Sequence, residues 1–358
     1  MNFFLEIKKM TLIKSLVIAL SVITFYSCQV EEDTDIANPI STSSRARQQK
    51  TVKLSVMSYN VYQLPQSTID LGGYGYKEAE RARAFAAKFQ DLQRRNETPD
   101  VLVIQEAFNN KIRDVLNSND FKSIYPHRTR LLGSSCYGIH SGDCGVDITN
   151  VNGGIRIFSK YPIEDTAEHI WVAKTYVEGL ANKGVSYAAI RKDGERFHIF
   201  GTHTNSDSLG SEEEIRVKQF LEMADFAFVL ATNRNISRNE PIIFAGDMNT
   251  EHSEKSVMLN ILNSHLNFPN IEYTGAVDHD EASYSYKNSV VKNTYLKEEG
   301  ADQLYNNTLD FVVYSRDYKQ PEGRPQMKVT PLKAHSGSGY SGDISDHHPV
   351  VVDFTFKY

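Results

Sequence analysis

Six short motifs in this chain each close a strand-like run with an oxygen or imidazole donor. They are Ser58-Tyr59-Asn60, Ile104-Gln105-Glu106, Asn152-Gly153-Gly154, Gly201-Thr202-His203, Gly246-Asp247-Met248-Asn249 and Ser345-Asp346-His347. One such run would be unremarkable, because Asn, Asp and Gly end strands for local hydrogen-bonding reasons. Six together restrict the fold to one whose strands end at a common edge, where their donors share a crevice. Carboxylate and amide oxygens suit a hard cation such as Mg²⁺, and imidazoles add proton transfer. The set points to divalent-metal phosphodiester chemistry.

Between the motifs, strand-like runs alternate with helical patterns. Strands are expected over 52–59, 101–105, 154–158, 185–190, 196–201, 241–245, 309–314 and 350–356, and helices over 78–94, 110–117 and 212–232. Asp193-Gly194 between two apolar runs is a hairpin signal. With 358 residues, 40% hydrophobic and 23% charged, the chain can build a substantial core without disulfide staples. No second linker interrupts 51–358, which reads as one catalytic domain.

The first 27 residues have the plan of an export signal. Lys8, Lys9 and Lys14 precede an apolar run from Ser15 to Ile23, too short to span a bilayer comfortably. The run ends at Phe25-Tyr26-Ser27-Cys28, which resembles a bacterial lipobox and makes Cys28 a candidate for lipidation. The expected location is therefore the outer membrane or cell surface as a lipoprotein, or secretion. Residues 28–50 are polar and aperiodic and read as a disordered tether. In an oxidising compartment Cys136 and Cys144, eight apart, are candidates for a loop-closing disulfide. The formal charge is −6, and no Lys/Arg cluster longer than Arg94-Arg95 occurs in the folded region. Nucleic acid is thereby disfavoured as a partner, since duplex binding needs a basic footprint.

Individual roles follow from position. Glu106 ends an apolar run buried on both faces and is the leading metal-ligand candidate, with Asn60 beside it. Asp247 and Asn249, two apart, both face a metal or phosphate if the chain stays extended. His203 and His347 are the candidates for proton transfer and charge stabilisation. Of His347 and His348 only one can enter the site, because successive side chains of an extended chain oppose one another. Asp310, a carboxylate beside an apolar strand, is the candidate to orient His347.

Together these stretches resemble the endonuclease/exonuclease/phosphatase superfamily, the fold of pancreatic-type deoxyribonuclease, and within it bacterial neutral sphingomyelinase C. The closer resemblance lies in Asn60-Val61-Tyr62-Gln63-Leu64-Pro65, in Gly153-Gly154 through Ser159-Lys160-Tyr161-Pro162-Ile163, in the 182–204 hairpin, and in Ser345-Asp346-His347-His348-Pro349-Val350. It spans about residues 52 to 356. The resemblance implies an α/β fold, a four-layer sandwich of two packed, mixed, mainly antiparallel sheets flanked by helices. It implies Mg²⁺, with Mn²⁺ or Co²⁺ in substitution, held by Asn60 and Glu106, and Asp247, Asn249 and Asp346 binding a second ion or the phosphate. His347 would be the general base oriented by Asp310, and His203 would stabilise the pentacovalent phosphorus or assist the leaving alkoxide. Asn152, Asn249 and Tyr284 are candidate substrate contacts. The implied reaction cleaves sphingomyelin, or a related phosphosphingolipid such as ceramide phosphoethanolamine, in membranes, by a monomer in peripheral membrane contact. Secreted members of the family use Trp-bearing loops for that contact. Trp171 is this chain's only tryptophan, so Tyr284 and Tyr286 are the expected interfacial aromatics. The rivals are a secreted nuclease of the same fold and a non-enzymatic surface lipoprotein.

Overall fold

The computed structural model describes residues 49–66, 75–137, 140–145, 151–175, 178–206, 212–251, 266–267, 270–271, 282–295, 306–334 and 339–358. The export signal, Cys28, most of the tether and the Tyr273-Thr274-Gly275 stretch lie outside them. The first half of the fold comprises β1 (Thr51–Gln63), α1 (Glu78–Arg94), β2 (Val101–Ala107), α2 (Asn110–Asn117), α3 (Asn119–Ile124), β3 (His127–Arg128), β4 (His140–Gly142), β5 (Val151–Asn152), β6 (Arg156–Ser159) and β7 (Ile163–Ile170). Then come β8 (Ala181–Asn182), β9 (Gly184–Lys192), β10 (Glu195–His203), α4 (Glu212–Asn233), β11 (Ile242–Asp247), β12 (Leu266–Asn267), β13 (Asn270–Ile271) and β14 (Tyr284–Ser285). The chain closes with α5 (Ser289–Thr294), β15 (Asn306–Asn307), β16 (Asp310–Ser315), β17 (Gln326–Val329) and β18 (Val350–Lys357).

Two seven-stranded sheets form the centre, one ordered β13-β17-β18-β1-β2-β6-β3 and the other β12-β16-β11-β10-β9-β7-β4. Both are mixed: β1 and β2 run parallel, as do β10 and β11, while β1/β18, β2/β6, β9/β10 and β11/β16 are antiparallel. The hairpin expected at Asp193-Gly194 joins β9 to β10, with both residues at positive φ (51° and 82°). That is the turn whose twist matches antiparallel strands.

Alternation along β1 explains how the layers stack. Val52, Leu54 and Val56 belong to a core cluster shared with β9, β10, β11 and β16, so they lie between the sheets. Met57, Tyr59 and Val61 belong to a second cluster with Ala82, Phe85 and Phe89 of α1, on the outer face. In β2, Val101 and Val103 fall in the inter-sheet cluster, whereas Leu102 and Ile104 fall beneath the helices. α2 starts where the Asn109 side chain accepts from the Ile112 amide, a polar cap for otherwise unpaired donors. Both faces of each central strand are thus covered, as the near-continuous apolar runs require.

Several expected bounds shift by one to three residues. The runs 154–158 and 241–245 become β6 and β11, displaced toward their C-terminal ends. The eight-residue β7 and the short α3 were not anticipated. β7 reads Ile163-Glu-Asp-Thr-Ala-Glu-His-Ile, with apolar residues too sparse for a strand pattern; its Ala167, Glu168, His169 and Ile170 are buried by tertiary packing. Cys136 and Cys144 are disulfide-bonded, with Cα atoms 5.8 Å apart. Lys50 and Tyr358 exchange main-chain hydrogen bonds beyond the ends of β1 and β18.

Candidate active site

Strand register builds one wall of the site. His203 on β10 lies opposite Asp247 on β11, which in turn lies opposite Asp310 on β16. Three residues in register on neighbouring strands share a sheet face. Gly246 permits this approach, because a Cβ there would lie 2.2 Å from the Thr202 carbonyl oxygen.

The facing wall comes from the other sheet. Asn60 lies on the inter-sheet face of β1 and is fully buried. Strict alternation would place Glu106 under the helices with Leu102 and Ile104, but Glu106 has φ 57° at the irregular end of β2. This left-handed residue breaks the alternation and lets the carboxylate reach Asn60. The Asn60 side-chain amide donates to both Glu106 Oε1 and Asp247 Oδ2, at 2.9 Å each, and so joins the two sheets. Gly154, at φ 70°, fits against Glu106, since a Cβ there would lie 3.0 Å from the Glu106 Cα.

His347 enters from the loop before β18. Its Nδ1 lies 2.7 Å from Asp310 Oδ2, and its Nε2 is 3.7 Å from Asp247 Oδ2. His203 Nε2 stands 3.6 Å from Asp247 Oδ2 and 3.8 Å from Glu106 Oε1. Glu106, His203 and Asp247, and likewise Asp247, Asp310 and His347, place their ligand atoms within 4.8 Å of one another. His348 does not share this cluster; its amide donates to the Ser283 carbonyl at 2.6 Å. The one-of-two expectation for the histidine pair thus resolves geometrically in favour of His347.

The extended chain on which Asp247 and Asn249 would both face the site is not continued past Asp247. β11 ends at Asp247, and Asn249 turns to φ 45°, its amide donating to Asp247 Oδ1 and its side chain to the Thr204 carbonyl. The turn satisfies backbone groups that extension would leave unpaired beyond the sheet. Asp346 accepts from Ser345 Oγ, and among its electrostatic neighbours are His347, Glu106 and Arg81. Asn152 accepts from the Gly154 amide at 2.9 Å and so supports the turn against Glu106. Tyr284 is not an exposed loop-tip aromatic: its ring lies 5.1 Å from that of His347, edge to face. Tyr286 is also only partly exposed.

Burial raises the Glu106 carboxyl against Lys183, Asn60 and His347, which oppose the shift. Burial, with Asp310 adding to it, raises Asp247 to about 6. Burial, opposed by His347 and reinforced by Glu106, raises Asp346 to about 7. Burial disfavours the His347 imidazolium, but Asp310, Asp247 and Asp346 outweigh it and hold the group well above its ordinary value. Burial together with Lys183 and His347 keeps His203 well below its ordinary value, hence neutral.

Three contributors were missed by sequence reasoning. Lys183 is buried, 2.5 Å from Glu178 Oε2, and acts electrostatically on both Glu106 and His203. Arg81 of α1 is fully buried and donates to the carbonyls of Tyr76, Val61, Ile344 and Tyr62. Trp171 donates its indole N–H to the His203 carbonyl at 3.0 Å. Only the placement of Lys183 beside Asn182 and Gly184 at the start of the 182–204 hairpin gave any local hint.

The residues fit a hard cation. Glu106 Oε2 and Asp310 Oδ1 are buried without a hydrogen-bond partner, and Glu106 and Asp247, from different sheets, bring carboxylate oxygens within 4.8 Å of each other. An oxygen-rich set with few imidazoles suits Mg²⁺ better than zinc.

This two-sheet fold with a carboxylate, amide and imidazole crevice defines a class, and the chain belongs to the Endonuclease/Exonuclease/phosphatase family, whose model matches residues 57–347. Within that family it is similar to a phospholipase C of Staphylococcus aureus, 30% identical over 321 residues covering 86% of this chain and 89% of the relative. It is also similar to a sphingomyelinase C of Bacillus cereus, 29% identical over 333 residues, covering 85% and 89%. Among solved structures, the beta toxin of S. aureus matches with a TM-score of 0.67 at 26% identity, covering 84% of this chain and 99% of the toxin. A mutant of that toxin with bound magnesium ions matches at 0.66 and 27%, covering 84% and 99%. The resemblance and the fold class drawn from sequence are borne out.

Proposed function

We propose that this protein is a Mg²⁺-dependent phosphodiesterase that hydrolyses sphingomyelin to ceramide and phosphocholine. The carrying observation is the His347–Asp310 pair, whose Nε2 faces Asp247 in the carboxylate crevice. The similarity to sphingomyelinases over most of the chain supports the substrate.

His347 Nε2 accepts a proton from water as the water oxygen attacks phosphorus, while Asp310 holds the other ring nitrogen and supports the imidazolium that forms. The bond from phosphorus to the ceramide oxygen breaks in line, that oxygen leaves as an alkoxide and takes a proton from solvent, and His347 returns the proton it accepted to solvent. His203, being neutral, contributes as a hydrogen-bond donor to developing oxyanion charge rather than as a cation. Glu106, Asn60, Asp247 and Asp346 would hold Mg²⁺, with Asn249 at the phosphate. When bound, the ion neutralises charge growing on phosphate oxygens and offsets the carboxylate field that favours the His347 imidazolium. Asn152 and Tyr284 line the approach to the site, Tyr284 through its ring against His347.

The polypeptide is exported, a reading supported by the Cys136–Cys144 disulfide, since such bonds persist in oxidising compartments. Cys28 anchors it by lipidation, and contact with the bilayer is peripheral. Among the described residues no helix is long and apolar enough to cross a membrane.

The test is phosphocholine release from sphingomyelin vesicles with and without Mg²⁺, alongside phosphatidylcholine, ceramide phosphoethanolamine and plasmid DNA. Metal-dependent release from sphingomyelin is expected. Cleavage of DNA, or of another phospholipid alone, would overturn the substrate.

A further inference from the structure

α4 buries an apolar stripe, Met223, Phe226 and Leu230, in the inter-sheet core cluster. Gln219 heads the same stripe, at the i, i+4, i+7 and i+11 spacing of one helix face, and is itself fully buried. Helical periodicity calls for an apolar side chain there, because a buried amide is costly unless its hydrogen bonds are made. They are made to two segments close to His203. The Gln219 side chain accepts from the Asn205 amide at 2.9 Å and donates to the Ala173 carbonyl at 2.8 Å. Three residues on, Glu222 accepts from the Val172 and Ala173 amides, at 2.9 and 2.8 Å, and lies 2.9 Å from His169 Nε2.

Both gripped segments act on the backbone of His203. Sheet pairing of β10 stops at the Thr202–Val185 pair on one side and at the His203–Asp247 pair on the other. Beyond these pairs the main-chain groups need other partners. The His203 carbonyl accepts from the Trp171 indole N–H at 3.0 Å, and the Thr204 amide donates to the Asp247 carbonyl at 3.1 Å. The Thr204 carbonyl accepts from the Asn249 side chain at 3.0 Å, and the Asn205 amide donates to Gln219. Trp171 is placed in turn by the segment that α4 grips. Its amide donates to the Lys183 carbonyl, and its ring lies 5.7 Å from that of His169, the residue beside Glu222. α4 therefore reaches His203 along two routes, through Asn205 and through Trp171.

We propose that Gln219 and Trp171 are positioning residues for His203, through which α4 fixes the imidazole over Glu106 and Asp247. This rests on the role given to His203 above, a hydrogen-bond donor to charge that develops during the reaction. Such a donor acts only in the geometry that charge demands, and a misplacement of about 1 Å can cost about 10²-fold. An apolar side chain at 219 would complete the stripe but leave the 171–173 and 203–205 segments untied. Placement of His203 accounts for the buried amide where packing does not.

The experiment introduces Gln219→Met, close in shape, and Trp171→Phe, each alone and together with His203→Ala. Leu230→Val, in the same stripe and without a hydrogen-bonding side chain, is the comparison. Turnover is read at saturating Mg²⁺ on sphingomyelin vesicles and on a soluble nitrophenyl phosphodiester, with thermal unfolding of every variant. Gln219→Met and Trp171→Phe are each expected to lower kcat about 10- to 100-fold, with KM changed by less than about twofold. In the His203→Ala background neither should lower kcat further, because residues that act through one group are not additive. Leu230→Val should lower Tm and leave kcat within about twofold. A fall in kcat shared by Leu230→Val, a loss carried by KM, or the same factor with and without His203 would overturn the proposal. The nitrophenyl ester reports phosphodiester cleavage without sphingomyelin, so a failed substrate reading leaves the comparison decisive. An unchanged kcat for His203→Ala alone would remove the role of His203 and this proposal with it, while the His347 chemistry would stand.

Discussion

His347 and His348 are adjacent and both buried, yet their surroundings assign them different work. His347 Nδ1 faces the Asp310 carboxylate at 2.7 Å, whereas the His348 backbone is held by Ser283. Replacing His347 by Ala is expected to lower kcat by about 10²–10⁴, the range for a general acid or base. His348→Ala should leave kcat within a few fold; steady-state turnover of both variants checks this, and equal losses would reject the assignment. Glu106 has one oxygen on Asn60 and the other without a partner. Glu106→Gln keeps the shape but removes the charge, so the Mg²⁺ concentration for half-maximal activity should rise. An unchanged metal titration would remove Glu106 from the ligand set. These residues were legible because each ends a run of apolar neighbours with a donor that the run does not need. Lys183 was not, since its burial against Glu178 depends on contacts that no local pattern encodes.

At the scale of elements, sequence periodicity located α1, α2 and the central strands but did not reveal what ties them to the site. α1 shows the difference. Its apolar positions Ala82, Phe85 and Phe89 pack beneath Tyr59, as an amphipathic helix should. Arg81 on the same helix looks in sequence like one more solvated charge. In the structure its guanidinium donates to Val61 and Tyr62 beyond Asn60, and to Ile344 before Asp346 and His347. One buried cation therefore braces the two backbone segments that carry Asn60 on one side and Asp346 and His347 on the other. Arg81→Met should cost about 3 kcal/mol or more, because several buried carbonyls lose a charged donor. It should also raise the Mg²⁺ requirement, which a purely structural residue would not do. Thermal unfolding and a metal titration of the same variant separate the two effects. Asn249 shows the limit of periodicity: its facing the site depended on an extended chain past Asp247, and the strand ends there with Asn249 turned to φ 45°.

For the whole molecule, the decisive feature is that the site is assembled from both sheets. Asn60 and Glu106 belong to one, and His203, Asp247 and Asp310 to the other. A cation bound between them clamps the sandwich, so Mg²⁺ should stabilise the fold and not just support turnover. The carboxyl groups set the pH window. Asp247 is raised to about 6 and Asp346 to about 7 in the folded protein, against about 3.9 in the unfolded chain. Groups raised in this way take up protons on folding. Their contribution to the metal-free protein is full below about pH 3.9 and is lost as pH rises through about 6 and 7. His347, also raised, acts in the same direction, while His203, lowered, acts in the opposite one. Mg²⁺ needs the carboxylates deprotonated, so its affinity grows over the interval in which the metal-free fold weakens. The shift in Tm on adding saturating Mg²⁺ should therefore be small near pH 5 and reach several degrees above about pH 7, as ligand linkage allows. Thermal unfolding across this range, with and without Mg²⁺, measures it. The Asp247→Asn variant should abolish the shift, and a shift independent of pH would mean that the ion binds somewhere other than between the sheets.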